Sequence, residues 1–422
     1  MIINPKDMTT EPLDTAIVFV FSSSFKVPSL ECTLRAKKSV LLYDANFPFN
    51  QNHLMSFDVA EPIYTKMSYE ELRDAVKAHV GDPEKTRLIH LGEDDLLHCA
   101  KIREDLNIPG PTLKEMGMFL NKTMQINRMR EKNVRVPKGV FFEKKKYQND
   151  PETYAVEIEQ NVGLPIFCKP SNGVSAQGTM KVENKEQLKE ALIMMSKAPS
   201  VYLIEEFIVG TMWGLDIAII NDEIRFFSCA RKGHFVAEIF NGLPNIGIVH
   251  KSTDPIYQRM LSFAKDVVKA FGSVPDTWAN LECFLTDDDE IVYCEINYRR
   301  PGSMICPGIK AYTGVNPEEI QVKVQACTPV KLPKDDFKTD WPVYSFYADW
   351  PNIKGTIKTK APLPNGLTSK IQFQWYHPDG KNLTNPSHLS DNAAVAVFLN
   401  KDWDALQRDF DLMKNWQPYV YQ

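Results

Sequence analysis

Several signatures are missing from this chain, and each absence removes a class of function. Its eight cysteines (32, 99, 168, 229, 283, 294, 306 and 327) include no Cys-x-x-Cys pair, and its eight histidines no His-x-x-His or His-Glu-x-x-His spacing, so the common zinc sites are excluded. Several cysteines fall inside apolar runs and read as reduced core thiols, which points to a cytoplasmic protein. No apolar run approaches the length of a membrane span, and the opening Met1-Ile-Ile-Asn-Pro-Lys-Asp lacks the basic and apolar regions of a signal peptide. The expectation is a soluble protein with no membrane partner. Net charge is −5 with a pI near 6.0 and no basic cluster, which argues against a nucleic-acid partner. Neither a Gly-Lys-Ser/Thr phosphate loop nor a Gly-x-Gly-x-x-Gly fingerprint occurs, and there is no low-complexity tract or internal repeat. At 422 residues the chain suits about three structural units.

What is present concentrates in residues 280–300. Apolar runs flank Asp287-Asp288-Asp289-Glu290, which predicts two strands joined by a polar loop. If Thr286 pairs with Ile291, Glu282 lies opposite Glu295. Asn297 shares the face of Glu295, and Arg299 follows if the strand continues that far. Facing carboxylates repel, so a cation is expected between them, and all-oxygen ligands point to magnesium or manganese. The plainer alternative is a solvent-facing hairpin with Arg299 or Arg300 in a surface ion pair.

Two upstream segments bear on that choice. Residues 164–182 read as a strand, a small-residue loop carrying Ser171, Gly173, Ser175 and Gly178, and a second strand, with Lys169 ending the first. Such a loop lets backbone N–H groups approach phosphate oxygens while the lysine supplies charge, which suits a flap over a nucleotide triphosphate. An ordinary β-hairpin is the alternative. Residues 200–220 read as two apolar strands around Glu205-Glu206-Phe207-Ile208. An extended, partly buried connector can bind adenine through its backbone, and a neighbouring carboxylate can accept from the amino group.

In this order, the pieces resemble the ATP-grasp superfamily over roughly residues 85 to 325. Leu91-Gly-Glu-Asp-Asp through Leu106-Asn-Ile-Pro-Gly110 looks like its helix ending in a Leu-Gly-Ile-Pro-Gly turn. Asn121-Lys122 looks like its Asp-Lys helix, and Asn133-Val-Arg-Val-Pro137 like its Gly-Val-Pro-Val-Pro entry to the next strand. The resemblance implies an α/β (α+β) ATP-grasp fold, divided as a Rossmann-like pre-ATP-grasp domain (1–112), a small lobe with the flap (113–200), a large lobe with metal and catalytic residues (201–328) and a small C-terminal β-rich lobe (329–422).

It also implies roles. Lys122 and Lys169 would contact the α- and β-phosphates of ATP, and residues 171–178 would form the flap. Glu205 and Glu206, with the backbone through Phe207 to Ile208, would hold adenine. Glu282, Glu295 and Asn297 would ligate magnesium or manganese, and Arg299 would meet the transferred phosphate and the acyl group. Many members carry a ribose-binding acid where this chain has Met212, with Asp216 a weak substitute. The family's further basic residue corresponds to Arg231, Lys232 or Lys251. The implied activity is an ATP-dependent carboxylate–amine ligase joining a small carboxylate or amino acid to an amine through an acyl phosphate, and family habit suggests a homodimer. A carboxylase or carbamoyl-phosphate type enzyme acting on bicarbonate and a non-catalytic ATP-binding regulator are the alternatives.

Outside that region, residues 14–21, 39–43 and 87–91 predict strands of one open parallel sheet with a helix over 69–80. Ser22 to Ser24 and Asp44 would then lie at strand C-termini, where such sheets bind ligands, although plain turns account for them more simply. Residues 341–347, 353–360, 369–376 and 393–400 predict short strands and 402–416 a helix. His234 is expected on a solvent-facing loop, and Trp213, Trp278 and Trp375 in the core.

Overall fold

The computed structural model describes the chain from 1 to 422 apart from residues 7, 9, 10, 21–35, 46–53, 65–67, 94, 174–177, 334–336, 338, 339 and 390. The first sheet is parallel throughout, in the order Val59–Ile63, Ala36–Asp44, Leu13–Val20, Thr86–Ile89. Its strands are near-continuous apolar runs because helices cover them, and Ile17, Val40 and Leu88 are fully or almost fully buried. The helix Tyr69–His79 starts where Ser68 accepts a hydrogen bond from Glu71 N–H, and it buries Leu72 and Val76 against the sheet. Ser22 to Ser24 lie outside the described residues.

Three helices lead to the next unit. Leu96–Leu106 ends at Asn107 in the left-handed region (φ 54°), with Ile108 N–H returning to Arg103 O at 2.9 Å. Leu113–Leu120 opens with a capping box between Thr112 and Glu115. Its last cap, Asn121, is also the N-cap of Lys122–Glu131, which fixes Lys122 in a first helical turn. A four-stranded antiparallel sheet follows in the order Gly139–Phe141, Tyr202–Glu206, Ile166–Pro170, Met180–Val182. Ile158, Leu188, Leu192 and Met195, from the helices Pro151–Val162 and Lys185–Lys197, form its core with Cys168 and Ile204.

The largest sheet has eight strands, in the order Ile291–Asn297, Thr277–Thr286, Gly210–Ile220, Glu223–Lys232, Asn245–Val249, Tyr344–Pro351, Asn392–Asn400, Lys370–Trp375. The last three come from the C-terminal segment and continue the sheet that carries the acidic hairpin, rather than standing apart from it. One face packs on the helix Pro255–Phe271 through Leu215, Ile217 and Leu281. On the other face Ala218, Ile220 and Trp278 are covered by the helices Ile305–Thr313 and Pro317–Gln325. Alternation puts Met212, Gly214 and Asp216 on that second face, beyond those apolar residues. The site is built there. Among the described residues no helix is long and apolar enough to cross a membrane.

Candidate active site

The acidic hairpin closes on Thr286 and Glu290, whose backbone hydrogen bond is 2.9 Å, with Asp289 at φ 67° in the turn. The ladder therefore pairs Leu285, and not Thr286, with Ile291. A one-residue slip of this kind would turn the following side chains to the wrong face. It is undone beside Glu282: Cys283 pairs with Tyr293 and Glu282 with Glu295, so Cys294 is the extra residue of a bulge. The two carboxylates face each other as expected, by a different register. Asn297 pairs with Asn280 on the same face, and the strand stops there.

The pair is electrostatically uneven. Burial, and then the charge of Glu295, push the Glu282 carboxyl up to about 7 against the pull of Lys232, Arg299 and Lys122. Burial acts on Glu295 in the same direction, but the ammonium groups of Lys122 and Lys169 outweigh it and hold Glu295 below the ordinary range. Lys122 Nζ is 3.0 Å from Glu295 Oε2, and Asn297 Nδ2 donates to Glu295 Oε1 at 3.4 Å. Two carboxylates and an amide are hard donors that fit magnesium or manganese. Among the described residues no group of three or more His, Cys, Asp or Glu gathers into a closed cage. A divalent ion here needs oxygens from a ligand as well, which is how magnesium is usually held beside phosphates.

Lys122 also ties the hairpin to the flap, donating from Nζ to Gly173 O at 2.7 Å and from its backbone N–H to Ser171 O at 3.1 Å. Ser171 is buried, Gly178 has φ 71°, and Ser175 lies outside the described residues. Lys169 pairs with Glu205 at 2.8 Å, both almost fully buried. The other carboxylate oxygen of Glu205, Oε1, is buried without a hydrogen-bond partner among the described residues, a costly arrangement that a ligand donor would relieve. Glu206 is taken up differently, by Arg135 and by Lys138 N–H, each at 2.8 Å. The ring of Phe207 lies under the Lys181 ammonium at 4.6 Å, and Ile208 is buried. At Gly210 (φ 154°) an added Cβ would sit 2.8 Å from Thr286 Cα, so the connector can turn onto the hairpin only as glycine.

Of the three basic candidates, only Lys232 shares the face of the carboxylates. Its charge acts on Glu282 and Asp216, and a Cβ on Gly214, the register partner of Glu282, would lie 3.4 Å from Lys232 Cε. Arg231 pairs with Trp213 on the opposite face and lies over Phe410, while Lys251 lies over Trp403. Arg299 follows the strand end and reaches Glu93 at 2.9 Å, while its charge still acts on Glu282.

Known proteins resemble this chain in sequence and in fold. Residues 129–320 match the family described as D-ala D-ala ligase C-terminus. A D-alanine–D-alanine ligase from Oceanobacillus iheyensis is 27% identical over 216 residues, covering 49% of this chain and 57% of that ligase. This chain thus spans somewhat over half the length of the curated relatives it matches. The solved L-amino acid ligase from Bacillus licheniformis superposes with a TM-score of 0.74 at 18% identity, covering 97% of this chain and 99% of that one. Residues 129–320 thus resemble that ligase family, and the chain shares the fold of the solved ligase. A second solved structure, the biotin carboxylase domain of the Hydrogenobacter thermophilus 2-oxoglutarate carboxylase, solved with MgADP and bicarbonate, superposes with a TM-score of 0.67 at 16% identity over 97% of this chain and 92% of that one.

Three details add to or correct the reading of the sequence. Met212 is buried opposite Phe284, and Asp216, two residues beyond Gly214, accepts a hydrogen bond from Asn280 at 3.2 Å, its carboxyl pushed up to about 6 by burial. His234 is not solvent-facing. Its Nε2 lies 2.9 Å from Lys414 O, because the C-terminal helix folds back over that loop. Sequence reasoning also missed Glu93, the partner of Arg299. Its position just after the last parallel strand, where open α/β sheets present ligand-binding groups, was the available signal.

Proposed function

We propose that the protein is an ATP-dependent ligase, acting in the cytoplasm, that joins a small carboxylic acid or amino acid to an amine or amino acid and releases ADP and phosphate. The observation that carries this reading is the convergence on one sheet face of Glu282, Glu295, Asn297 and Lys232, with Lys122 and Lys169 beside them and the unpartnered Glu205 Oε1 at the connector. Lys122 and Lys169 would hold the polyphosphate, and Glu205 with the backbone from 206 to 208 would hold adenine. Magnesium or manganese held by Glu282, Glu295 and Asn297 would supply neutralising charge for the polyphosphate.

The chemistry follows from these parts. A carboxylate oxygen attacks the γ-phosphorus of ATP and the bond to ADP breaks, which is mainly a matter of positioning and charge neutralisation. Lys232 and Arg299 supply that charge on either side of Glu282. The amine nitrogen then attacks the acyl carbon, phosphate departs with the bonding electron pair, and the amine loses a proton. Arg299 offers a guanidinium to the oxyanion of the tetrahedral intermediate. Closure of the segment 171–178 would keep water from the acyl phosphate. The same reading divides the chain at 112, 200 and 328.

The test is phosphate release from ATP and magnesium across a matrix of amino acids and small acids. Release that requires both an acid and an amine is expected. Release with bicarbonate alone, or none with any pair, refutes the ligase.

A further inference from the structure

Resting on that proposed function, a difference among the four cations of the site carries one step further. Three of them are neutralised by carboxylates: Lys122 by Glu295, Lys169 by Glu205 and Arg299 by Glu93, at 3.0, 2.8 and 2.9 Å. Lys232 has no ion pair among the described residues. Its ammonium donates to two neutral oxygens, Tyr347 Oη at 2.7 Å and Asn245 Oδ1 at 3.3 Å. It is 5% exposed, and its buried charge is held by acceptors that orient it without cancelling it.

Tyr347 comes from the strand Tyr344–Pro351, 115 residues further along the chain. Register pairs it with Gly247, where an added Cβ would meet Tyr347 Cζ at 2.6 Å, so the ring lies across the bare backbone of that residue to reach Lys232. Two residues on, Asp349 accepts from Asn245 Nδ2 at 3.3 Å, from Met304 N–H at 3.3 Å and from the Ser303 hydroxyl. One strand of the C-terminal segment thus holds Lys232 directly and, through Asp349, the turn that follows Arg299. Without Tyr347, Asp216 and Glu282 would compete for the ammonium.

We infer that Tyr347 is a positioning residue that keeps the Lys232 ammonium uncompensated and aimed at the transferred phosphoryl group. The C-terminal strand is then part of the phosphoryl-transfer apparatus.

Calorimetry with magnesium and either ADP or the non-hydrolysable analogue AMP-PNP tests this in Tyr347→Phe, which keeps the ring. The expected result is a loss of roughly tenfold in affinity for the analogue, from the lost charge-assisted hydrogen bond, with ADP affinity unchanged within about twofold. In a Lys232→Met background, Tyr347→Phe should add no further loss. Equal losses for both nucleotides, no loss for either, or a full additional loss in the Lys232→Met background overturns the inference. A wild-type protein that binds neither nucleotide overturns the proposed function and this inference with it. A wild type that binds both, with the two affected alike in the variant, overturns the role of Tyr347 alone.

Discussion

Replacing Glu282 with Gln should stabilise the protein and weaken its nucleotide site at the same time. In the fold the Glu282 carboxyl lies at about 7, against an ordinary value of 4.5, because of burial and then Glu295. Each unit corresponds to about 1.4 kcal/mol, so ionising this group at pH 8 costs the folded state up to about 3 kcal/mol relative to the unfolded chain. The side chain keeps partial access to solvent, which reduces this to about 1–2 kcal/mol. The folded-state value is raised, so the favourable contribution is fully present below about pH 4.5 and is lost as pH rises through about 7. Urea denaturation without nucleotide should therefore show Glu282→Gln more stable than wild type at pH 8, with the gain vanishing near pH 4.5. At pH 8 the same variant should lose tenfold or more in magnesium-dependent ADP affinity. A gain that is the same at both pH values, or a variant less stable at pH 8, would refute the argument that Glu282 is held at an electrostatic cost.

Arg299→Ala should abolish phosphate release while ADP binding stays within a few fold, and unchanged turnover would remove its role in transfer. Gly210→Ala should lower stability by roughly 2–4 kcal/mol in denaturant titration, because the new Cβ meets the hairpin backbone at a φ that L-residues rarely adopt. Gly247→Ala should reproduce the selective loss of AMP-PNP affinity expected for Tyr347→Phe, since it pushes the ring from Lys232, and equal losses for ADP would count against that geometry.

Local patterns made some of this legible. The apolar runs around residues 14–21, 39–43 and 87–91 correspond to the strands Leu13–Val20, Ala36–Asp44 and Thr86–Ile89, because a buried parallel strand is apolar on both faces. The strands expected after residue 340 are present as well, but their sheet partners were hidden. Nothing near Tyr344 records that it will pair beside Asn245–Val249, about 100 residues earlier in the chain. The hairpin shows the same limit from the other side. Counting back from Thr286 and Ile291 assumed an unbroken ladder, whereas the turn at Asp289 and the bulge at Cys294 each shift the register by one and cancel. Strand alternation alone separates Lys232 from Arg231 once the register with Gly210–Ile220 is known, and no composition rule supplies that register. Tyr347 and Asp349 were illegible because each acts across a long stretch of sequence through side-chain hydrogen bonds, and the ion pair of Glu93 with Arg299 spans a similar distance.

The pairing of charges explains how so polar a face is stable and still suited to an anionic ligand. Removing one member of a buried ion pair is strongly destabilising, so Lys122, Lys169 and Arg299 need their carboxylates whenever no other anion is near. A polyphosphate entering as proposed exchanges partners: the lysines turn to phosphate oxygens, and Glu295 is freed to face a divalent ion. Two groups stand outside the exchange. Glu282 is the acid whose ionisation is held back, and Lys232 is the cation held by neutral oxygens. They share one face of the sheet: Gly214 pairs with Glu282 on one side and with Ala230 on the other, and the Lys232 side chain, two residues beyond Ala230, passes close to that bare glycine, which brings the charge-accepting and charge-supplying sides of the proposed transfer together. A methyl at 214 would make ordinary contact with Lys232 Cε at 3.4 Å, whereas a longer side chain would enter the space between the ammonium and the Glu282 carboxyl.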